Sequence, residues 1–132
     1  MDLSLRTETF GQDRRDWLGS AHGTDAPVGA TLDVSKFTSG THYPQGFIKS
    51  GIPLGKVTAS GKYGPYDDAA SDGRQTCVGF LFTDVNVVSS RGVASTTVIG
   101  SMITHCVIRE AKLPVALDAA GKTDLGARVS YV

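Results

Sequence analysis

The feature that most restricts what this chain can fold into is its punctuation. Between positions 44 and 79, Pro44, Gly46, Gly51, Pro53, Gly55, Gly61, Gly64, Pro65, Gly73 and Gly79 interrupt the sequence every few residues. A glycine costs about 1 kcal/mol and a proline about 3 kcal/mol inside a helix, so a long helix cannot form there. The runs between the interruptions are rich in Val, Ile, Thr and Phe, the composition of brief strands joined by tight turns. The strongest is Cys77-Val78-Gly79-Phe80-Leu81-Phe82, entered from Asp72-Gly73, a dipeptide suited to a tight turn. Residues 96–108 carry two patterns at once. Val98, Ile99, Met102, Ile103, Cys106 and Val107 fit a helical spacing, yet the density of β-branched residues and Gly100 favour strand. One short helix is expected over 113–120, with Pro114 in its first turn and Gly121 just past its end. Residues 127–132 alternate as a closing strand. The fold class expected is mainly β with one short helix, in a compact domain spanning 43–132.

The first 42 residues read differently. Between Phe10 and Gly29 only Trp17, Leu18 and Val28 are large and apolar, among Asp13, Arg14, Arg15, Asp16 and several glycines. Ordering a backbone costs about 1–2 kcal/mol per residue, and so polar a stretch has little burial to set against it. An extended, mobile N-terminal arm over 1–42 is therefore expected. Its beginning is patterned: Leu3, Leu5, Thr7 and Thr9 alternate with Ser4, Arg6 and Glu8, the period of two that lets an extended strand lay one face on a partner. A second extended piece runs from Thr31 to Phe37. Trp17, the single tryptophan, is either a contact anchor for a partner or folds back on the domain's own surface. Mixed charges in the arm suit a protein partner better than a polyanion.

Charge sharpens that reading. Thirteen Lys and Arg balance thirteen Asp and Glu, giving a formal net charge of +0 without the basic footprint of a general nucleic-acid binder. No apolar run approaches the roughly 20 residues that span a bilayer, and MDLSLRTETF shows no basic stretch leading into an apolar one, so neither membrane nor export is expected. Cys77 and Cys106 are too few for a disulfide framework and are expected as buried thiols.

The candidate reaction centres fall short. Gly55 to Lys62 imitates a phosphate-binding loop, but five residues separate Gly55 from Gly61, and Tyr63 stands where a Ser or Thr hydroxyl belongs. Asp67, Asp68 and Asp72 could offer oxygens to a hard cation, but they lack the EF-hand order and suit turns. His22, His42 and His105 could serve a Cys nucleophile, but His105 and Cys106 are adjacent and point to opposite faces of a strand. Neither an enzyme nor a cofactor or metal is expected. A second class, a surface-displayed carbohydrate-binding β module, would use Tyr63 and Tyr66 as stacking platforms.

The ordered runs Gly51-Ile52-Pro53-Leu54-Gly55-Lys56-Val57, Gly61-Lys62-Tyr63-Gly64-Pro65-Tyr66-Asp67-Asp68-Ala69-Ala70, Asp72-Gly73-Arg74-Gln75-Thr76-Cys77-Val78-Gly79-Phe80-Leu81 and Val107-Ile108-Arg109-Glu110-Ala111-Lys112-Leu113-Pro114 resemble the lambda-type bacteriophage head decoration proteins. Arg6-Thr7-Glu8-Thr9-Phe10 and Trp17-Leu18-Gly19 resemble the arm of the actinobacterial-phage branch. The resemblance implies a small barrel-like or β-tulip domain that forms a homotrimer on the outside of the capsid at local three-fold positions. It also implies that the arm adds to strands of the major capsid protein, through Leu3, Leu5, Thr7, Phe10, Trp17 and Leu18. The protein would then be a virion component assembled in the host cytoplasm, cementing the expanded head without catalysis.

Overall fold

The computed structural model describes residues 15–89 and 92–132. Among these, the strands are β1 (Val28–Asp33), β2 (Phe47–Ile48), β3 (Pro53–Lys56), β4 (Tyr63–Pro65), β5 (Cys77–Leu81), β6 (Val85–Asn86), β7 (Thr97–Ile103), β8 (Cys106–Ile108) and β9 (Val129–Tyr131). Two helices join them, α1 (Ser39–His42) and α2 (Ala119–Leu125), with 3-10 turns at Val34–Lys36, Glu110–Lys112 and Gly126–Arg128. The fold is mainly β, as the punctuation required.

Five strands close a barrel in the order β1-β4-β3-β5-β7, and two-stranded sheets, β2–β6 and β8–β9, flank it. The longest seam is antiparallel β1–β7, paired from Val28↔Met102 to Asp33↔Thr97. The closing seam between β1 and β4 is parallel and rests on one register position, Leu32↔Tyr63. Because successive strand residues face opposite ways, neighbours on β5 and β7 serve two cores. Leu81 and Met102 join Leu32, Ile48, Ile52 and Leu54 in the first cluster, whereas Phe80 and Ile103 join Cys106, Ile108, Leu125 and Val129 in the second. Gly79 keeps β5 and β7 close: a Cβ there would stand 2.6 Å from the Ile103 carbonyl oxygen.

Two expectations are corrected. Residues 28–33 do not belong to a free arm; Val28, Ala30 and Leu32 alternate, and β1 supplies a barrel strand with Ala30 and Leu32 buried. The boundary drawn at residue 42 therefore cuts through the domain. The helix lies over Ala119–Leu125 instead of 113–120, because Asp118 is the N-cap and its carboxylate accepts from the Gly121 N–H at 2.8 Å. Gly121 sits inside that helix because a Cβ would meet Leu117 at 2.5 Å and Tyr66 at 3.1 Å. Of the two places expected for Trp17 the structure shows the one folded back on the domain, 1% exposed and inside the second core.

Candidate functional site

The best-built feature outside the barrel is the place where the N-terminal segment joins it. Residues 17–19 run antiparallel beside β8 as an added edge: Gly19 N–H donates to Val107 O at 2.7 Å, and Arg109 N–H to Trp17 O at 2.7 Å. These bonds turn the Trp17 side chain inward, where its ring lies 5.8 Å from that of Phe80. The indole N–H donates to Ser50 Oγ at 3.0 Å, and that hydroxyl donates onward to Phe82 O at 2.7 Å. Ser50 N–H in turn donates to Asp84 Oδ1 at 2.7 Å. A buried polar chain of this kind holds its members because an unmet donor or acceptor inside the protein costs about 1–3 kcal/mol.

The loop opposite makes room for the ring. Gly51 has a φ of 93°, a left-handed conformation that side chains disfavour, and a Cβ there would stand 2.9 Å from the indole. Just before the anchor, the Arg15 guanidinium stacks over Phe82 with 4.1 Å to the ring centre. The segment that precedes the domain is thus clamped to the barrel flank at its root.

The proposed arm residues divide accordingly. Leu3, Leu5, Thr7 and Phe10 lie outside the described residues. Trp17 is an internal anchor, since a side chain this buried has no surface to offer a second molecule, and Leu18 packs half-buried against the second core. Ser50 and Asp84 had drawn no attention in the sequence, and Arg15 had counted only as one of the arm's mixed charges. Ser50 sits 33 positions from Trp17, so no local spacing announces the pair.

The chemically suggestive clusters have structural occupations. Asp67 Oδ1 accepts from Ala69 N–H, and Asp72 accepts from Arg74 N–H and Nε–H while also facing Lys36 at 3.5 Å. The Arg74 hydrogen bond holds the Asp72 carboxyl below its ordinary value. Among the described residues, no three His, Cys, Asp or Glu side chains gather to hold a metal ion. His42 Nδ1 accepts from Thr38 N–H at 2.8 Å, and burial lowers its pKa, so it serves as a neutral acceptor. Burial pushes the Cys77 thiol up to about 12 and the Cys106 thiol up to about 11, the reverse of what a nucleophile needs. Tyr66 O–H donates to Asp118 at 2.7 Å, and the Lys56 ammonium sits over the Tyr63 ring at 5.9 Å. Both tyrosines offered as sugar platforms are already engaged.

Fold and site together define a class: a small closed β-barrel with its leading segment bolted to one flank. Residues 17–128 match the family described as bacteriophage lambda head decoration protein D, and the chain belongs to that family. The matched span opens on Trp17, the anchor itself. Membership sets the function at its coarse level, a structural protein that decorates the phage head and is part of the virion. No curated protein matches the chain.

Proposed function

We propose that this protein cements the expanded phage head from outside. Three copies gather as a homotrimer at each local three-fold position, and the segment ahead of Trp17 in each adds as a strand to the major capsid protein. The observation that carries this reading is the family match over 17–128, opening at the residue that fixes the root of that segment. Strand addition takes affinity from backbone hydrogen bonds and specificity from alternate side chains. Leu3, Leu5 and Thr7 fall on one face of such a strand, with Phe10 beyond them. One arm alone binds weakly after its ordering cost, whereas three on a rigid trimer act at an effective concentration on the order of millimolar. The clamp at Trp17 keeps each short, so the ordering cost is confined to the residues that pair. This role uses no cofactor and touches neither nucleic acid nor membrane.

The test is co-sedimentation with expanded, undecorated heads, comparing the full chain with a variant lacking residues 2–14. The full chain is expected in the pellet and the truncated protein, still folded, in the supernatant. Equal binding by the truncated protein would remove the arm from the mechanism. Failure of both to pellet would remove the cementing role.

A further inference from the structure

We infer that an open groove at one end of the barrel binds a neutral saccharide unit. The groove holds about 490 Å³ and lies between the end of β1, Tyr43, the start of β4 and the segment 94–97 leading into β7. That volume falls within the roughly 300–1,000 Å³ of small-molecule sites. Asp33, Ser35, Phe37, Tyr43, Lys62 and Thr97 line it.

The walls are fixed before any ligand arrives. Asp33 Oδ1 accepts from Ser35 N–H at 3.1 Å and from Ser35 Oγ–H at 2.6 Å. Lys62 Nζ donates to Thr97 Oγ1 at 3.3 Å. The His42 ring stands edge-on to the buried Phe37 with centres 5.4 Å apart, holding that side chain in place.

The chemistry of the lining selects the ligand class. One carboxylate and one ammonium leave the site with no net charge, which disfavours a phosphate or a polyanion. Asp33 can accept from a hydroxyl and Lys62 can donate to one; Ser35 Oγ, its proton given to Asp33, can accept, and Thr97 Oγ1, which accepts from Lys62, can donate. A pair of neighbouring sugar hydroxyls matches that mixture, and the C–H face of the ring suits the half-buried ring of Tyr43. A peptide strand fits less well, because Val34 N–H and Thr96 O, the backbone groups facing each other at the groove, are bonded together at 3.1 Å.

The site is separate from the arm root. Phe82, which Arg15 covers, joins β7 at Ser101, while the groove meets β7 at Thr97. Four residues of strand place the two roughly 13 Å apart along β7, so capsid attachment and sugar binding can coexist.

The experiment is amide-resolved NMR titration of the full chain with glucose, galactose, mannose and N-acetylglucosamine, each into the millimolar range. At least one sugar is expected to shift resonances in 33–37, 43, 62 and 94–97. Lys62→Gln and Tyr43→Ala are each expected to weaken that sugar about tenfold. Should Tyr43→Ala not fold, Lys62→Gln and Thr97→Val carry the test. Absence of shifts with every sugar, shifts mapping elsewhere, or unchanged affinity in the folded variants would overturn the inference.

Discussion

Trp17→Ala is the perturbation that separates a clamped root from a loose arm. The side chain is 1% exposed, packs on Phe80, and donates its indole N–H to Ser50. Burying an aromatic of this kind removes about 150–250 Å² from water. At roughly 25 cal/mol per Å² the transfer contribution is about 4–6 kcal/mol before ordering costs. Measured truncations of buried Phe and Trp cost about 3–5 kcal/mol, because the cavity left behind collapses only in part. The lost indole N–H adds little, since Ser50 Oγ keeps its bond to Phe82 O. A loss of about 3–5 kcal/mol is a large share of the 5–15 kcal/mol that holds a domain together. Urea unfolding followed by far-ultraviolet circular dichroism reads it as a fall in midpoint at constant slope. The wild-type protein supplies an independent check. Trp17 is the single tryptophan, so native fluorescence reports this site alone, and blue-shifted emission that moves to the red on unfolding is expected. A substitution cost below about 0.5 kcal/mol, the scale of an exposed surface change, together with water-like native emission, would refute the clamp.

Four further outcomes follow from the same geometry. Gly51→Ala, at a φ of 93° and with a Cβ 2.9 Å from the indole, is expected to lower stability by about 1–3 kcal/mol in the same urea assay. Removing residues 2–42 takes away β1 and Trp17 and is expected to abolish cooperative melting, whereas a chain lacking only 2–14 keeps both and is expected to melt cooperatively. Both thiols are expected to resist alkylation in the native protein at mildly alkaline pH and to react once urea opens the core, because burial holds them at about 12 and about 11. The carboxyls of Asp33, Asp72 and Asp118 are held below their ordinary 3.8, chiefly by hydrogen bonds from the Ser35 hydroxyl, the Arg74 side chain and the Gly121 N–H respectively. Their contribution to stability is complete above that unfolded-state value and is lost as pH falls through the lower folded values. The urea midpoint is therefore expected to begin falling below about pH 6.5, where unfolded His42 takes a proton that the buried imidazole resists, and to drop further below about pH 4, the second fall being less steep in Asp118→Asn.

What the sequence disclosed, and what it withheld, follows from the range of the interactions. The strand over Cys77–Leu81 was legible because a turn dipeptide and an apolar run announce it locally. In 96–108, β-branched density outweighed helical spacing, and the segment became β7 and β8. Trp17 stayed undecided between two readings for the opposite reason: its partners Ser50, Phe80 and Val107 are distant in sequence, and its neighbours are polar. The extended piece was read from Thr31 onward and left out Val28 and Ala30, because a strand embedded in polar sequence looks expendable until β7 is set beside it. The helix slipped from 113–120 to Ala119–Leu125 because a glycine that reads as a stop signal was required inside it by Leu117 and Tyr66. The saccharide groove had no sequence signature, since its walls come from four separate stretches of chain.

The central claim, attachment to the outside of an expanded head, is tested most directly by electron cryomicroscopy of undecorated heads mixed with the purified protein. The expected map carries three-lobed density on the outer surface at every local three-fold position, with a strand leaving each lobe to join the capsid protein. Heads that remain bare at saturating protein, or density on the inner surface, would contradict it.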